Sequence, residues 1–374
     1  MNERERFLNT CRFKPVDRLP LWPPLGIWGE TFERWGKEGL TDYSVSLVGA
    51  HNDPQIELYD FLGCDRLYEI GIYYGICPKF EPKVLEETER FITHRSYDGR
   101  VMKEFKELHD SSMPEFIDYP VHSKEDYREF KKRLTLNYEQ RFPENWKEKC
   151  KVWKQSKIPL RMWADDEGGF FAPIRNMLGT VETLYAFHDD PAWVEEMMED
   201  RMNLILEILD VILRDVKFDF FMFFEDMAYK CGPLISPEMF KKYMVPRYKK
   251  VTDFLHSKGI DLIFVDSDGD ITKLIPLWLE CGVNGIIPFE VQAGMDVVKL
   301  RKEYGKDLIM AGGVDKRALA LGKPEIDMEI NRVAQIFDQG GFIPWLDHLV
   351  PPDVSFDHFL YYYDRLDRAI HGRS

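Results

Sequence analysis

Eight short apolar runs, each ending on polar residues and set apart by amphipathic stretches, place the tightest limit on how this chain can fold. Six of them follow one another from about residue 155: "PLRMWADD" (159–166), "DFFMFFED" (219–226), "DLIFVDSD" (261–268), "NGIIPFE" (284–290), "DLIMAGG" (307–313) and "FIPWLDH" (342–348). Runs that are apolar throughout, without alternation, suit strands covered on both faces, as in parallel sheets. The segments between them read as helices. Residues 190–215 repeat apolar positions every three or four residues after an Asp-Pro start, and 236–259 opens with Ser and Pro and closes on Gly259. Residues 295–305 and 323–341 also close on glycine. Two earlier runs, "RLPLWPP" (18–24) and "RLYEIGIYY" (66–74), bring the count to eight. Eight strands alternating with helices predict an α/β fold of the (β/α)8 TIM-barrel type. An open doubly wound sheet would carry a G-x-G-x-x-G turn after its first strand, and none is present.

The expected barrel has an N-terminal helical extension and one long interruption, between strands two and three, at approximately 76–155. Residues 79–107 read as a hairpin turning at Tyr97-Asp98-Gly99, and 123–155 as charged helix. With no repeats and no long Gly/Ser linker, this is an insertion on a single domain spanning 1–374.

A net charge of −15 and a pI near 5.2 argue against nucleic-acid and anionic-membrane partners. They also disfavour a polyanionic substrate unless arginines cluster locally. The six cysteines lie far apart with no C-x-x-C pair, which fits a reducing cytosol. The charged start "MNERERFLNT" has no secretory signal character, and no apolar run nears the roughly 20 residues needed to span a bilayer. The expected location is cytoplasmic.

In such barrels the chemistry sits at the carboxyl ends of the strands. The polar residues there are Asp165, Asp166 and Glu167 after strand three, Glu225 and Asp226 after strand four, Asp266 and Asp268 after strand five, Glu290 after strand six, and Asp347 and His348 after strand eight. Acids from four strands and a histidine from a fifth repel one another unless a cation or shared protons relieve them. Such a set can hold a hard or borderline cation or act as general acids and bases. Each acid also has a structural alternative: strand-end carboxylates cap helices, which suits Asp226 and Asp270. "DSDGD" (266–270) is not an EF-hand loop. Counted from Asp266, Ile271 stands where glycine is required and Leu277 where glutamate is required.

The opening "RERFLNTCRFKPVDRLPLWPP" resembles the start of the uroporphyrinogen decarboxylase superfamily. So does the block from "DLIFVDSDGD" to "AGMDVVKLRKEYG", and "LIMAGGVDKRALALG" and "GGFIPWLDHLVPPDVSFDHF" resemble its closing elements. The resemblance implies a (β/α)8 barrel and either of two activities. The decarboxylases carry an arginine-rich segment after strand one, where this chain has "PPLGIWGE" (23–30); His348 aligns with their histidine near the last strand. The corrinoid-linked methyltransferases that act on thiols hold zinc through a His-x-Cys pair and a distant Cys, and the matching positions here are Asp266, Asp268 and His348. An oxygen and nitrogen set of Glu225, Asp266, Asp268 and His348 would hold zinc as a Lewis acid and suit an oxygen or nitrogen methyl donor.

The expected function is therefore a corrinoid-dependent methyltransferase, the demethylating component that moves a methyl group from a small O- or N-methylated, methoxyaromatic-type substrate to a corrinoid on a partner protein. The alternatives are a uroporphyrinogen decarboxylase-like lyase and a non-catalytic barrel that binds a corrinoid or tetrapyrrole. Glu225, Asp226, Asp268 and His348 are the expected catalytic residues. Glu225, Asp266, Asp268 and His348 are the expected zinc ligands. Trp28, Tyr73, Trp163, Asp165, Phe171 and Trp345 are the expected substrate contacts. The expected partners are the methyl donor and a corrinoid-binding protein, and a homodimer is compatible with this reading.

Overall fold

The apolar runs lack a polar face because each strand is packed on both sides. In residues 220–224, Phe221 and Phe223 join the large core between sheet and helices, whereas Phe220 and Met222 join a second cluster with Phe264, Ile287, Ile309, Ala311, Ile343 and Trp345. That second cluster is the barrel lumen. The computed structural model describes residues 1–40, 60–106 and 113–372.

Among them, thirteen strands run in chain order: β1 Tyr68–Glu69, β2 Lys83–Glu87, β3 Phe91–Arg95, β4 Val101–Phe105, β5 Glu115–Asp118, β6 Leu160–Trp163, β7 Phe220–Phe224, β8 Ala228–Tyr229, β9 Gly232–Pro233, β10 Ile263–Asp266, β11 Gly285–Ile287, β12 Ile309–Val314 and β13 Phe342–Leu346. Seven form one parallel sheet, in the order β1-β6-β7-β10-β11-β12-β13. The eighth expected strand, 18–24, does not form a regular ladder. Its place is held by a segment stitched at both edges. The Asp65 amide donates to the Leu21 carbonyl at 2.7 Å, and Ile27 forms a parallel bridge with Val350. Prolines at 20, 23 and 24 explain the broken ladder, because they have no N–H to give.

The N-terminal extension is the helix Glu3–Cys11, opened by a capping box between Asn2 and Glu5. Its Phe7 stacks on Trp22 and packs against Phe220 from below. Arg4 pairs with Asp219, just before β7, so the helix covers the amino end of the barrel. The insertion is larger than the expected hairpin. β3 and β4 are that hairpin, and β2 and β5 flank it in a four-stranded antiparallel sheet. The helices Lys124–Phe130 and Trp146–Lys154 follow, and Tyr127 and Trp146 anchor them to Asp200 and Asp215 of the long helix Pro191–Asp215. No helix of the described residues is long and apolar enough to cross a membrane.

One buried carboxylate ties the N-terminal segment to the barrel. Asp65 accepts from Arg6 Nη1, from Arg18 Nη1 and Nη2, and from the Leu21 amide, all within 2.7–2.9 Å. Removing it takes the carboxylate partner from Arg18 and one of two from Arg6, which keeps Asp17, and leaves the buried Leu21 amide without its acceptor. Asp65→Ala is expected to lower unfolding free energy by about 3–5 kcal/mol with an unchanged denaturant slope, read from urea unfolding.

Candidate active site

The strand-end acids divide according to whether backbone amides already occupy their oxygens. Glu225, the residue after β7, is fully buried. Its Oε1 accepts from the Phe170 amide at 2.8 Å and the Tyr248 hydroxyl at 2.6 Å. Its Oε2 accepts from the Phe171 amide at 2.7 Å and the Ala172 amide at 3.2 Å. These are the free N–H groups at the start of the helix Phe171–Leu178, which favour a negative charge. Burial pushes the Glu225 carboxyl up, against the pull of those four donors. A Cβ at Gly169 would lie 2.0 Å from the Phe224 carbonyl oxygen and 2.7 Å from the Glu225 carboxyl carbon, so glycine lets this turn close over the acid.

Three more acids are spent in the same way. Asp347 bridges two loops, accepting from the Val291 amide at 2.9 Å and the Lys316 amide at 3.0 Å. Glu290 accepts from the Gly269 amide, and Asp270 from the Thr272 amide. Gly269 lies in the left-handed region at φ +83°, with the Ala228 carbonyl oxygen 2.5 Å from where a Cβ would stand. That is how "DSDGD" turns back over the rim.

Of the acids that follow β7, β10, β11 and β13, Asp226, Asp266 and Asp268 remain. Asp266 ends β10 and points into the lumen side of the sheet, with the parity of Leu262 and Phe264. It is 8 % exposed, and its carboxyl has no hydrogen-bond partner among the described residues. Burial, then the charges of Asp268 and Asp226, push this carboxyl well above the usual carboxylate range, with Arg161 opposing. Asp268 Oδ2 lies 3.3 Å from His348 Nε2. Asp226 faces the same pair. Its carboxyl is raised by burial and, less strongly, by Asp268, while Arg175 and His348 pull it down. Asp226, Asp266, Asp268 and His348 thus converge at the carboxyl-end rim, as the sequence predicts.

The remaining expected residues separate. Trp163 ends β6 on the lumen side, beneath the Arg161 guanidinium, which lies 4.9 Å from its ring. Trp345 also lines the lumen, edge-on to Trp22 at 5.5 Å. Trp28 caps the helix Gly29–Lys37 beside the Ile27–Val350 bridge. Tyr73 turns toward the insertion, packing on Tyr97 at 6.1 Å beneath Lys79. Phe171 is a correction: it is wholly buried in the layer outside the sheet, stacked on Phe187, so it cannot touch a substrate at the mouth. The side chain of Asp165 lies outside what the structure describes.

Glu225 is also corrected, as both catalyst and zinc ligand, because its lone pairs face a helix start instead of the mouth. Among the described residues, no three His, Cys, Asp or Glu side chains are placed to hold a metal ion. The expected zinc ligands are therefore not gathered as a group among the described residues.

Sequence reasoning missed the cations. Arg161 and Glu69 form a buried ion pair on the lumen side, with Arg161 Nε 3.1 Å from Glu69 Oε2. Arg175 donates to both the carbonyl oxygen and Oδ2 of Asp226. The available signal was a charged residue inside an apolar stretch, "PLRMW" and "FFAPIRNML".

The family model "Uroporphyrinogen decarboxylase (URO-D)" matches residues 168–368, more than half of the chain and every rim residue just described from Glu225 onward. This chain belongs to the uroporphyrinogen decarboxylase family. The fold is also seen in a solved structure: a methyltransferase from Methanosarcina mazei superposes with a TM-score of 0.63 over 99 % of this chain and 98 % of that one, at 13 % identity. That likeness concerns the fold. No curated protein sequence matches.

In this family member Asp347 gives a pH signature. Burial raises its carboxyl from 3.8 to about 6. Between those values the folded state keeps a proton that the unfolded chain has lost. The contribution of Asp347 to stability therefore falls as pH rises from about 4 to about 6, by roughly 3 kcal/mol in all. In Asp347→Asn this decline is expected to vanish from the pH dependence of urea unfolding.

Proposed function

We propose that the protein is a corrinoid-dependent methyltransferase that removes a methyl group from a small O- or N-methylated donor, with methoxyaromatic compounds as the favoured class. The observation that carries this reading is Asp266: a buried carboxyl without a hydrogen-bond partner among the described residues, at the mouth of a barrel, beside an Asp268–His348 pair. A carboxyl held above its usual range keeps its proton to higher pH than an ordinary carboxylate and can give it away. A cobalt(I) corrinoid carried by a partner protein supplies, when docked, the nucleophile for the methyl group. As the carbon–oxygen bond breaks, its electron pair stays on oxygen, and Asp266 donates its proton to that atom, releasing a neutral phenol or alcohol. His348, held by Asp268, returns a proton from solvent to Asp266. Trp163 and Trp345 offer ring faces in the lumen for an aromatic donor.

A decarboxylase would use the same proton on a pyrrole carbon, but its substrate carries many carboxylates. The two guanidinium groups at this mouth are already committed, Arg161 to Glu69 and Arg175 to Asp226. That favours a donor with few negative charges.

The test uses purified protein, free cob(I)alamin and a panel of methoxybenzoates and methylated amines, followed by the cobalamin absorbance. Methyl transfer is expected to fall as pH rises through the raised range of Asp266, because the acid must be protonated. Asp266→Asn is expected to lose about 10²–10⁴-fold in rate. Conversion of uroporphyrinogen to coproporphyrinogen by the same protein would replace this reading with the lyase. Stoichiometric zinc lost in Asp268→Ala/His348→Ala would replace the proton-only account of the rim.

A further inference from the structure

Consecutive residues at the end of β7 grip one helix at two points. Glu225 holds the amides at the start of the helix Phe171–Leu178, and Arg175 of that helix reaches back to Asp226. Residues 171 and 175 are one turn apart and share a face, so both grips lie on the side of the helix turned toward the sheet. Asp226 itself sits at φ +42°, in the left-handed region that a non-glycine residue occupies at a cost. In an ordinary extended continuation, Asp226 would follow the alternation of the strand. That alternation, with Phe221 and Phe223 outward and Phe220 and Met222 in the lumen, sends Glu225 outward to the helices and Asp226 to the lumen side, and the left-handed turn ends the strand there with Asp226 facing Asp268 and His348.

We propose that Arg175 is a positioning residue for the reacting centre: by binding both the carbonyl oxygen and the carboxylate of Asp226, it fixes that strained turn and holds the Asp226 carboxylate against the Asp268–His348 pair. One guanidinium edge satisfies two acceptors of a single residue, and that sets both the backbone turn and the side-chain direction. The Arg175 and Asp226 side chains are 20 % and 36 % exposed, so the contact lies at the wet edge of the rim and is not a core clamp. Asp226 then tunes its neighbours by charge: it is among the groups that raise Asp266. The inference rests on the rim being the reacting centre, although its first test does not need turnover.

Full-length protein with carbon-13-labelled aspartate is titrated by NMR, the Asp226 carboxyl signal being assigned by its loss in Asp226→Asn. In Arg175→Gln the midpoint of that signal is expected to move upward, because the neighbouring cation is gone. In Arg175→Lys, which keeps the charge, the midpoint is expected to stay close to wild type. An Asp226 titration unchanged in Arg175→Gln, with only a lower melting temperature, would show a merely structural arginine and overturn the proposal.

Asp226→Gly, which relieves the left-handed strain, gives the second arm. Its melting temperature is expected to hold or rise while methyl transfer to cob(I)alamin drops at least about tenfold. Full turnover in Asp226→Gly would equally overturn the proposal. If no methyl donor is turned over by the wild type, the function reading fails, and the NMR titration still decides the role of Arg175.

Discussion

A carboxylate sealed from water has to find its hydrogen bonds within the protein, and Glu225 finds four. Hydrogen bonds to a charged group contribute roughly 1.5–3 kcal/mol each. Four of them are of the same order as the several kcal/mol needed to take an ion out of water. The balance holds only while all four donors stay in place. It therefore fixes the end of β7, the start of the helix Phe171–Leu178 and Tyr248 of the helix Val245–Ser257 in one geometry. The side on which Asp226 lies follows from strand alternation, which puts the residue after an outward-facing acid toward the lumen.

The same logic sorts the rest of the rim. Glu290, Asp270 and Asp347 face backbone amides and shape loops. Asp266 faces no donor among the described residues and instead meets other carboxylates, so burial and the charges of Asp268 and Asp226 together push its carboxyl well above the usual range. Chemistry at this barrel mouth depends on which carboxylates the backbone has left unsatisfied.

Below the rim the lumen turns apolar, filled by Phe220, Met222, Phe264, Ile287 and Ile343 and closed from the amino end by Phe7. The Arg161–Glu69 pair marks the boundary. Paired within the lumen, each partner gives the other the counter-charge that water would otherwise supply. A ligand entering from the carboxyl ends thus meets acids and a histidine first, then the rings of Trp163 and Trp345. The insertion stands beside this entrance, its sheet half-exposed on both faces and its helices anchored on residues 200 and 215.

Seven of the eight expected barrel strands, the order of helices and the gathering of Asp226, Asp266, Asp268 and His348 were legible in the sequence. Buried parallel strands leave uniform apolar runs, and barrel topology puts all their carboxyl ends on one rim whatever the side-chain details. The extra strands β2 and β5 were obscured because their residues are largely exposed and charged, which reads as loop or helix. The first strand misled because three prolines sit in an otherwise strand-like run. What the sequence could not determine was which donors each acid meets. Glu225 and Asp226 are adjacent and chemically alike, yet one holds a helix and the other faces the mouth. Alternation sets the two faces, but what holds each acid there is the amides of residues 170–172 and a guanidinium at 175, more than fifty positions away. Hydrophobic periodicity is a local property written along the chain, whereas the satisfaction of a buried charge depends on donors that only folding brings within 3 Å.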